Sequence, residues 1–398
     1  MTNHFKNMLY LFAANARGIK IQLDGELNIE EIRRLAIEQG IWTLVYSELA
    51  KFSDASKYQM EFFALVSKGI AQKEFTLGVI KKLEEQGIPC CLLKGASVSG
   101  LYNDPECRVS GDTDILIDPK DEEKLKVALL EMGYGVEERA ENDHHLKAFH
   151  KNGGLLEAHI MLYSKISEKF LFNGLSMYSE PWATMNINGY DYHILGINDG
   201  LVYLTAHYIK HLVNEGGGVR QMMDLLLYME RYKDEVDFNR YENILKELSY
   251  GKLLDVIKTV GTKYFGFDYE IKDEDLAEKV LADSEDGGIF GFSTDKRKNF
   301  YDSYCEKRTT MSKYQHKVYM SLNSESSVFD KIFPSQKVLV NVYGIGYAKH
   351  KWLLPVAWVH RNIKLVARKF SGKKSQQKQD STEFKERMQL MRDLNMIK

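Results

Sequence analysis

The sequence predicts an α+β fold: a mixed sheet with its own helices, set between largely helical regions. Three observations carry this. Apolar residues recur near helical spacing from about residue 28 to 85. From 88 to 162 the texture changes to short apolar runs bounded by turn signals, the pattern of buried strands. After about 165 the chain returns mostly to helix. With only 6 prolines among 398 residues, few positions interrupt a helix.

The elements follow in order. Ile29, Ile32, Leu35 and Ile37, then Leu44, Val45 and Leu49, mark amphipathic helices, and a long one runs from Phe62 to Leu83 and stops at Gly87. Ile88 to Leu93 reads as a strand that Lys94-Gly95 breaks. A short helix from Ala96 to Tyr102 and a turn at Asn103-Asp-Pro105 lead to a second strand, Thr113 to Ile117. Asp118-Pro119 opens a helix to about 132, because Asp caps amide donors and Pro suits the first turn. A third strand covers Tyr134 to Glu138. Two more, His144 to His150 and Leu155 to Leu162, flank the hairpin signal Lys151-Asn-Gly-Gly154. Asn198-Asp199 is expected to cap a helix from Gly200 to Val213, and another runs from Val219 to Tyr232. Asp283 to Ser293 reads as a surface loop, 371–380 as a low-complexity linker, and Thr382 to Lys398 as a terminal helix. The expected divisions are 1–84, 85–165, 166–370 and 371–398.

Composition limits the function. The formal net charge is -2, so nothing global suits a binder of specific double-stranded DNA. The cysteines, Cys90, Cys91, Cys107 and Cys305, form no zinc spacing and fit thiols in a reducing cytoplasm. No apolar stretch reaches the ~20 residues of a membrane span, and the N-terminus lacks a secretion signal. A cytoplasmic protein is expected.

The chemistry centres on Asp112-Thr-Asp114. In a strand, residues i and i+2 share a face, so both acids project together. Two carboxylates on one face repel unless a cation lies between them, and Mg²⁺ prefers such oxygens. Glu157, His159 and Met161 likewise share one face of a later strand.

In Leu93-Lys94-Gly95, Tyr102, Pro105, Arg108, Asp112-Thr-Asp114 and Glu157-Ala-His159, the chain resembles the polymerase-β-like nucleotidyltransferase superfamily. It is more similar still to that superfamily's bacterial branch of uncharacterised nucleotidyltransferases. The resemblance is firm over 88–162 and extends through His207, Arg220 and Asp224, which look like the branch's helical signature. It implies transfer of an NMP from an NTP to an acceptor, with two Mg²⁺ or Mn²⁺ ions. Asp112 and Asp114 would bind both ions, and Glu157 the one that activates the acceptor. Gly95, Ala96, Ser97 and Gly111 would approach the nucleotide, with Lys94 and Arg108 as phosphate contacts. The chain departs from the superfamily in having Gly95-Ala96, with Ser97 one step later, where Gly-Ser or Gly-Gly is usual. Its interval from Gly95 to Asp112 is also longer. The base of the NTP and the acceptor are left open.

Plainer roles stand beside these. His159 either orients Glu157, touches substrate, or packs as a hydrogen-bonded core residue. His207 either lines the cleft or packs, and with His211 it lacks a third metal ligand. Arg220 and Asp224, four apart, form an ordinary helix ion pair or help dock the helical region to the core. His144, His145 and His150 are expected along a solvated strand edge. The basic, aromatic stretch 347–370 is either a solvated face, an acceptor site or a peripheral membrane contact. The functional alternatives are a catalytically silent nucleotide-binding module and a toxin-like enzyme acting on RNA or protein.

Overall fold

A computed structural model describes the chain except residues 140–142, 174–179, 215, 289–293, 310, 313–314, 317–318, 321–338, 340–346, 348–349, 362–373 and 398. The fold is α+β, as the sequence predicts. Its centre is a seven-stranded mixed sheet in the order β3-β4-β5-β2-β1-β7-β6. The strands are β1 (Cys91–Leu92), β2 (Asp112–Leu116), β3 (Gly135–Val136), β4 (His145–His150), β5 (Gly154–His159), β6 (Ala183–Ile187) and β7 (Tyr190–Ile194). β2 runs parallel to β5, and β1 parallel to β7; the other neighbours are antiparallel.

The two faces of the sheet differ because side chains alternate along each strand. Ile115, Ile117, Leu156 and Ala158 point into a core shared with Ile80 and Leu83 of one helix and Leu125 and Leu129 of another. Asp112, Asp114, Glu157 and His159 therefore stand on the opposite face. That face is closed by helices. In chain order the first four are α1 (Asn3–Arg17), α2 (Ile29–Glu38), α3 (Trp42–Phe52) and α4 (Gln59–Glu85). Beyond the short α5 (Ala96–Ser99), α6 (Glu122–Glu131) and α7 (Lys165–Phe170) come α8 (Ile197–Asn214), α9 (Val219–Arg231), α10 (Phe238–Glu247), α11 (Gly251–Phe265), α12 (Glu274–Gly287) and α13 (Thr294–Lys307). A last helix, α14 (Lys374–Asp393), follows. A second apolar core joins α1–α3 to α8, α9, α11 and the C-terminal residues Met388, Met391 and Leu394. No helix among the described residues is long and apolar enough to cross a membrane.

Several local expectations change. Helix α1 lies before the first helix read from the sequence; Thr2 caps it by accepting from the Phe5 amide. Most of its residues are buried, with the Asn7 side chain satisfied by the Asp24 backbone. Asn198 and Asp199 do not cap α8, which begins at Ile197; the Asp199 carboxylate instead accepts from the Glu180 amide. The hairpin β6–β7 falls where the sequence reads mostly helix. Asp283 to Gly287 finish α12 rather than forming a loop, because Asp283 pairs with Arg387 in the interior; residues 289–293 lie outside the described part. Residues 374–380, expected in a linker, belong to α14, while 371–373 lie outside the described residues. In the stretch 347–370, 362–370 also lies outside; within the described part Trp352 is exposed.

Candidate active site

The site forms where β1 ends beside β2. Leu93 donates to the Asp114 carbonyl, holding the end of β1 against the acids. Gly95 then turns the chain with φ 74° and ψ -88°, a conformation that L side chains rarely adopt. A Cβ there would also stand 3.2 Å from Ser110 Oγ. This turn swings Lys94 over β2. Its Nζ lies 2.7 Å from Asp114 Oδ2 and 3.4 Å from Asp112 Oδ2. The cation between the two acids is thus a side chain of the protein. Lys94, assigned to phosphate from the sequence, is engaged by the carboxylates.

β5 supplies the rest. Asp114 and Glu157 are direct partners across the parallel β2–β5 pair. One ligand atom from each of Asp114, Glu157 and His159 lies within 4.8 Å of the others. His159 Nε2 is 3.0 Å from Asp114 Oδ1, which makes His159 an orienting partner of Asp114. The charges are unevenly balanced. Burial would raise the Asp114 pKa, but Lys94 and His159 outweigh it and hold that carboxyl below its usual range. The opposite holds for Glu157: burial, then the negative Asp114, raise its pKa against the pull of Lys94 and Lys147. The converging oxygens of Asp114 and Glu157 fit a hard divalent ion, and Asp112 shares their face of the sheet. Asp112, Asp114 and Glu157 are the residues that would hold it.

A cavity of about 750 Å³ opens in front of the acids. Lys94, Gly95, Gly111, Asp112 and Asp114 form one wall. Lys68, Gly69 and Gln72 of α4 form a second; His207 and His211 of α8 and Arg220 of α9 form the third. Gly69 is needed there, since a Cβ would meet Val109 at 2.8 Å. Burial, then the neighbouring His211, keep His207 neutral by lowering its pKa. Among the described residues no third ligand joins His207 and His211. A smaller cavity of about 340 Å³ adjoins on the other side of Gly95 and includes Ala96. Ser97 lines neither, because its hydroxyl donates back to the Leu93 carbonyl.

Two predicted site residues, Arg108 and Asp224, are brought together in an unforeseen way. Arg108 donates through Nε to Asp224 Oδ1 at 2.9 Å and through Nη2 to Oδ2 at 2.6 Å. Its remaining nitrogen reaches Ser110 Oγ at 3.0 Å, and Tyr102 donates its hydroxyl to Asp224. Asp224 thus ties α9 to the core through Arg108, and Arg220 is not its hydrogen-bond partner. Arg220 donates instead to the carbonyls of Gly40 and Val109, each at 3.2 Å.

The expected solvated edge of histidines is overturned. His144 and His145 are buried beside His159, and His150 stacks on Phe75. Strand alternation fails for His144 because it lies in the bend before β4, which frees its ring to turn toward His145. Lys68 and Gln72 were also missed. Their spacing of four on one helix face was the available signal.

A structure of an antigenic nucleotidyltransferase-like protein from Paracoccidioides brasiliensis is similar at 17% identity, covering 40% of this chain and 76% of that one, with a TM-score of 0.28. No curated protein matches the chain. The model of a family described as uncharacterised nucleotidyltransferase matches residues 25–266, most of the chain and all of the site. On that match, the chain belongs to the uncharacterised nucleotidyltransferase family.

Proposed function

We propose that the protein is a metal-dependent nucleotidyltransferase that moves an NMP from an NTP to an acceptor and releases pyrophosphate. The observation that carries this is the shared face of Asp112, Asp114 and Glu157, with Asp112 and Asp114 at the wall of a cavity large enough for a nucleotide. The three carboxylates would hold two Mg²⁺ or Mn²⁺ ions. When bound, such ions neutralise the triphosphate and make an acceptor oxygen more nucleophilic. The protein's own part is positioning and charge, which dominate phosphoryl-transfer catalysis. Backbone amides around Gly95 suit close approach of phosphate. Lys68 and Arg220 offer positive charge from the facing walls, and the neutral His207 offers a hydrogen bond without adding charge. His159 keeps the Asp114 carboxylate turned in one direction.

Each labelled NTP, incubated with Mg²⁺ or Mn²⁺ and cell extract, tests this and identifies the acceptor. Label should move to one acceptor class, and Asp112→Ala/Asp114→Ala should abolish the transfer. Intact metal-dependent turnover in that double variant would sink the proposal. One observation favours a second function, a nucleotide-binding module without turnover: Lys94 already pairs with both aspartates. NTP binding without pyrophosphate release, across a panel of acceptors, is its signature.

A further inference from the structure

Beside the carboxylates, on the same face of the sheet, lies a buried group that nucleotidyl transfer does not require. His144, His145 and His159 each present a ring nitrogen within 4.8 Å of the other two. His144 Nε2 and His145 Nδ1 are 3.3 Å apart. Two nitrogens on one tetrahedral ion, each at about 2.0–2.1 Å, stand about 3.3–3.4 Å apart. The backbone explains the convergence. The carbonyl of His144 accepts from the amides of Ile160 and Met161, and His145 is the register partner of His159.

One outer nitrogen makes the contact that metal-binding imidazoles make, and the other two face carboxylates at longer range. Such rings turn their second nitrogen to a carboxylate, which fixes tautomer and orientation. Here His159 Nε2 meets Asp114 at 3.0 Å, and His144 Nδ1 lies 3.5 Å from Asp143. His145 Nε2 is 3.7 Å from Glu157. The other nitrogen of His159, Nδ1, is buried with no hydrogen-bond partner, a state that native interiors rarely leave unexplained.

We propose that His144, His145 and His159 bind one transition-metal ion of the zinc class, separate from the ions of the carboxylate face, with water as fourth ligand. Imidazole nitrogen selects zinc, copper or nickel over magnesium. The ion does not depend on nucleotidyl transfer. Its effect is to brace the acids from the side, because the rings it fixes face Asp114 and Glu157.

The full-length protein, stripped with a chelator and kept in excess Mg²⁺, is titrated with Zn²⁺ by calorimetry and with Co²⁺ by visible absorption. One ion per chain is expected, with the absorption of four-coordinate Co²⁺. Binding should weaken roughly 10–100-fold in His144→Gln and in His145→Gln, and persist in Asp112→Ala. Circular dichroism checks that the variants fold. Cu²⁺ bound to the unaltered protein gives a reading free of any variant: its paramagnetic resonance should show coupling to imidazole nitrogen. Absence of uptake, equal affinity in folded glutamine variants, loss in Asp112→Ala, or coupling to oxygen ligands alone overturns the proposal.

Discussion

Replacing Asp224 by alanine should unfold the joint between the sheet and α9. The carboxylate is the bidentate partner of Arg108, and the two side chains are only 4% and 7% exposed. Taking one member from a buried pair strands the other charge and costs about 3–5 kcal/mol. The Tyr102 hydroxyl loses its acceptor at the same time, which adds about 1 kcal/mol or more. Because these groups share one carboxylate the losses are not fully additive. A total of about 4–6 kcal/mol results, well above a typical point substitution. Lys6→Ala is the control, since its pair with Asp24 is 35% and 53% exposed and contributes at most about 1 kcal/mol. Urea unfolding followed by tryptophan fluorescence is the assay; urea, unlike guanidinium, does not screen charges. Arg108→Met/Asp224→Leu should recover more than half of the loss, because neither charge is then left buried. If Asp224→Ala costs no more than Lys6→Ala, or the double variant is as damaging as the two single changes summed, the ion pair is not the joint.

Other outcomes follow from the same geometry. Lys94→Met removes the ammonium that competes for Asp112 and Asp114, so calorimetry should show Mn²⁺ binding tighter by roughly tenfold, about 1.4 kcal/mol; unchanged binding would mean that Lys94 does not compete. All four cysteines are buried, and burial pushes the thiols of Cys90, Cys91 and Cys107 up, so a thiol reagent should label the native chain far more slowly than the chain in urea. Ending the chain after residue 383 removes Met388, Leu390, Met391, Leu394, Met396 and Ile397 from the helical core. At roughly 1.5–3 kcal/mol for each buried side chain, the loss is on the order of 10 kcal/mol, and the truncated chain should fail to accumulate as folded protein.

The sequence was most legible where period and partner were both local. Asp112 and Asp114 share a face because strand side chains repeat every second residue, and the same rule put Glu157 with His159. The order of turns and strands from 88 to 159 survives in the structure. What escaped depends on residues far apart. Arg108 meets Asp224 across 116 positions, and no periodicity announces such a pair. A similar separation hides β7, since its residue His193 pairs with Cys91 of β1, 102 positions earlier. His144 was misjudged because a bend, not a strand, carries it. The role of Lys94 was visible in kind but not in person: a cation between the acids was expected, and the residue that supplies it lies two positions beyond the end of β1.

The position of β1 also constrains how the molecule can be made. This strand of two residues is paired on one side by β2 and on the other by β7, with Cys91 opposite His193. During synthesis β2 emerges soon after β1, but β7 appears only after the intervening helix α7 and the first arm of its own hairpin. Until then β1 presents an unpaired apolar edge, the kind that recruits foreign strands. Parallel pairing over such a distance is slow to form. The nascent chain therefore passes through a vulnerable interval in which its acids are already aligned while the sheet that carries them is still open.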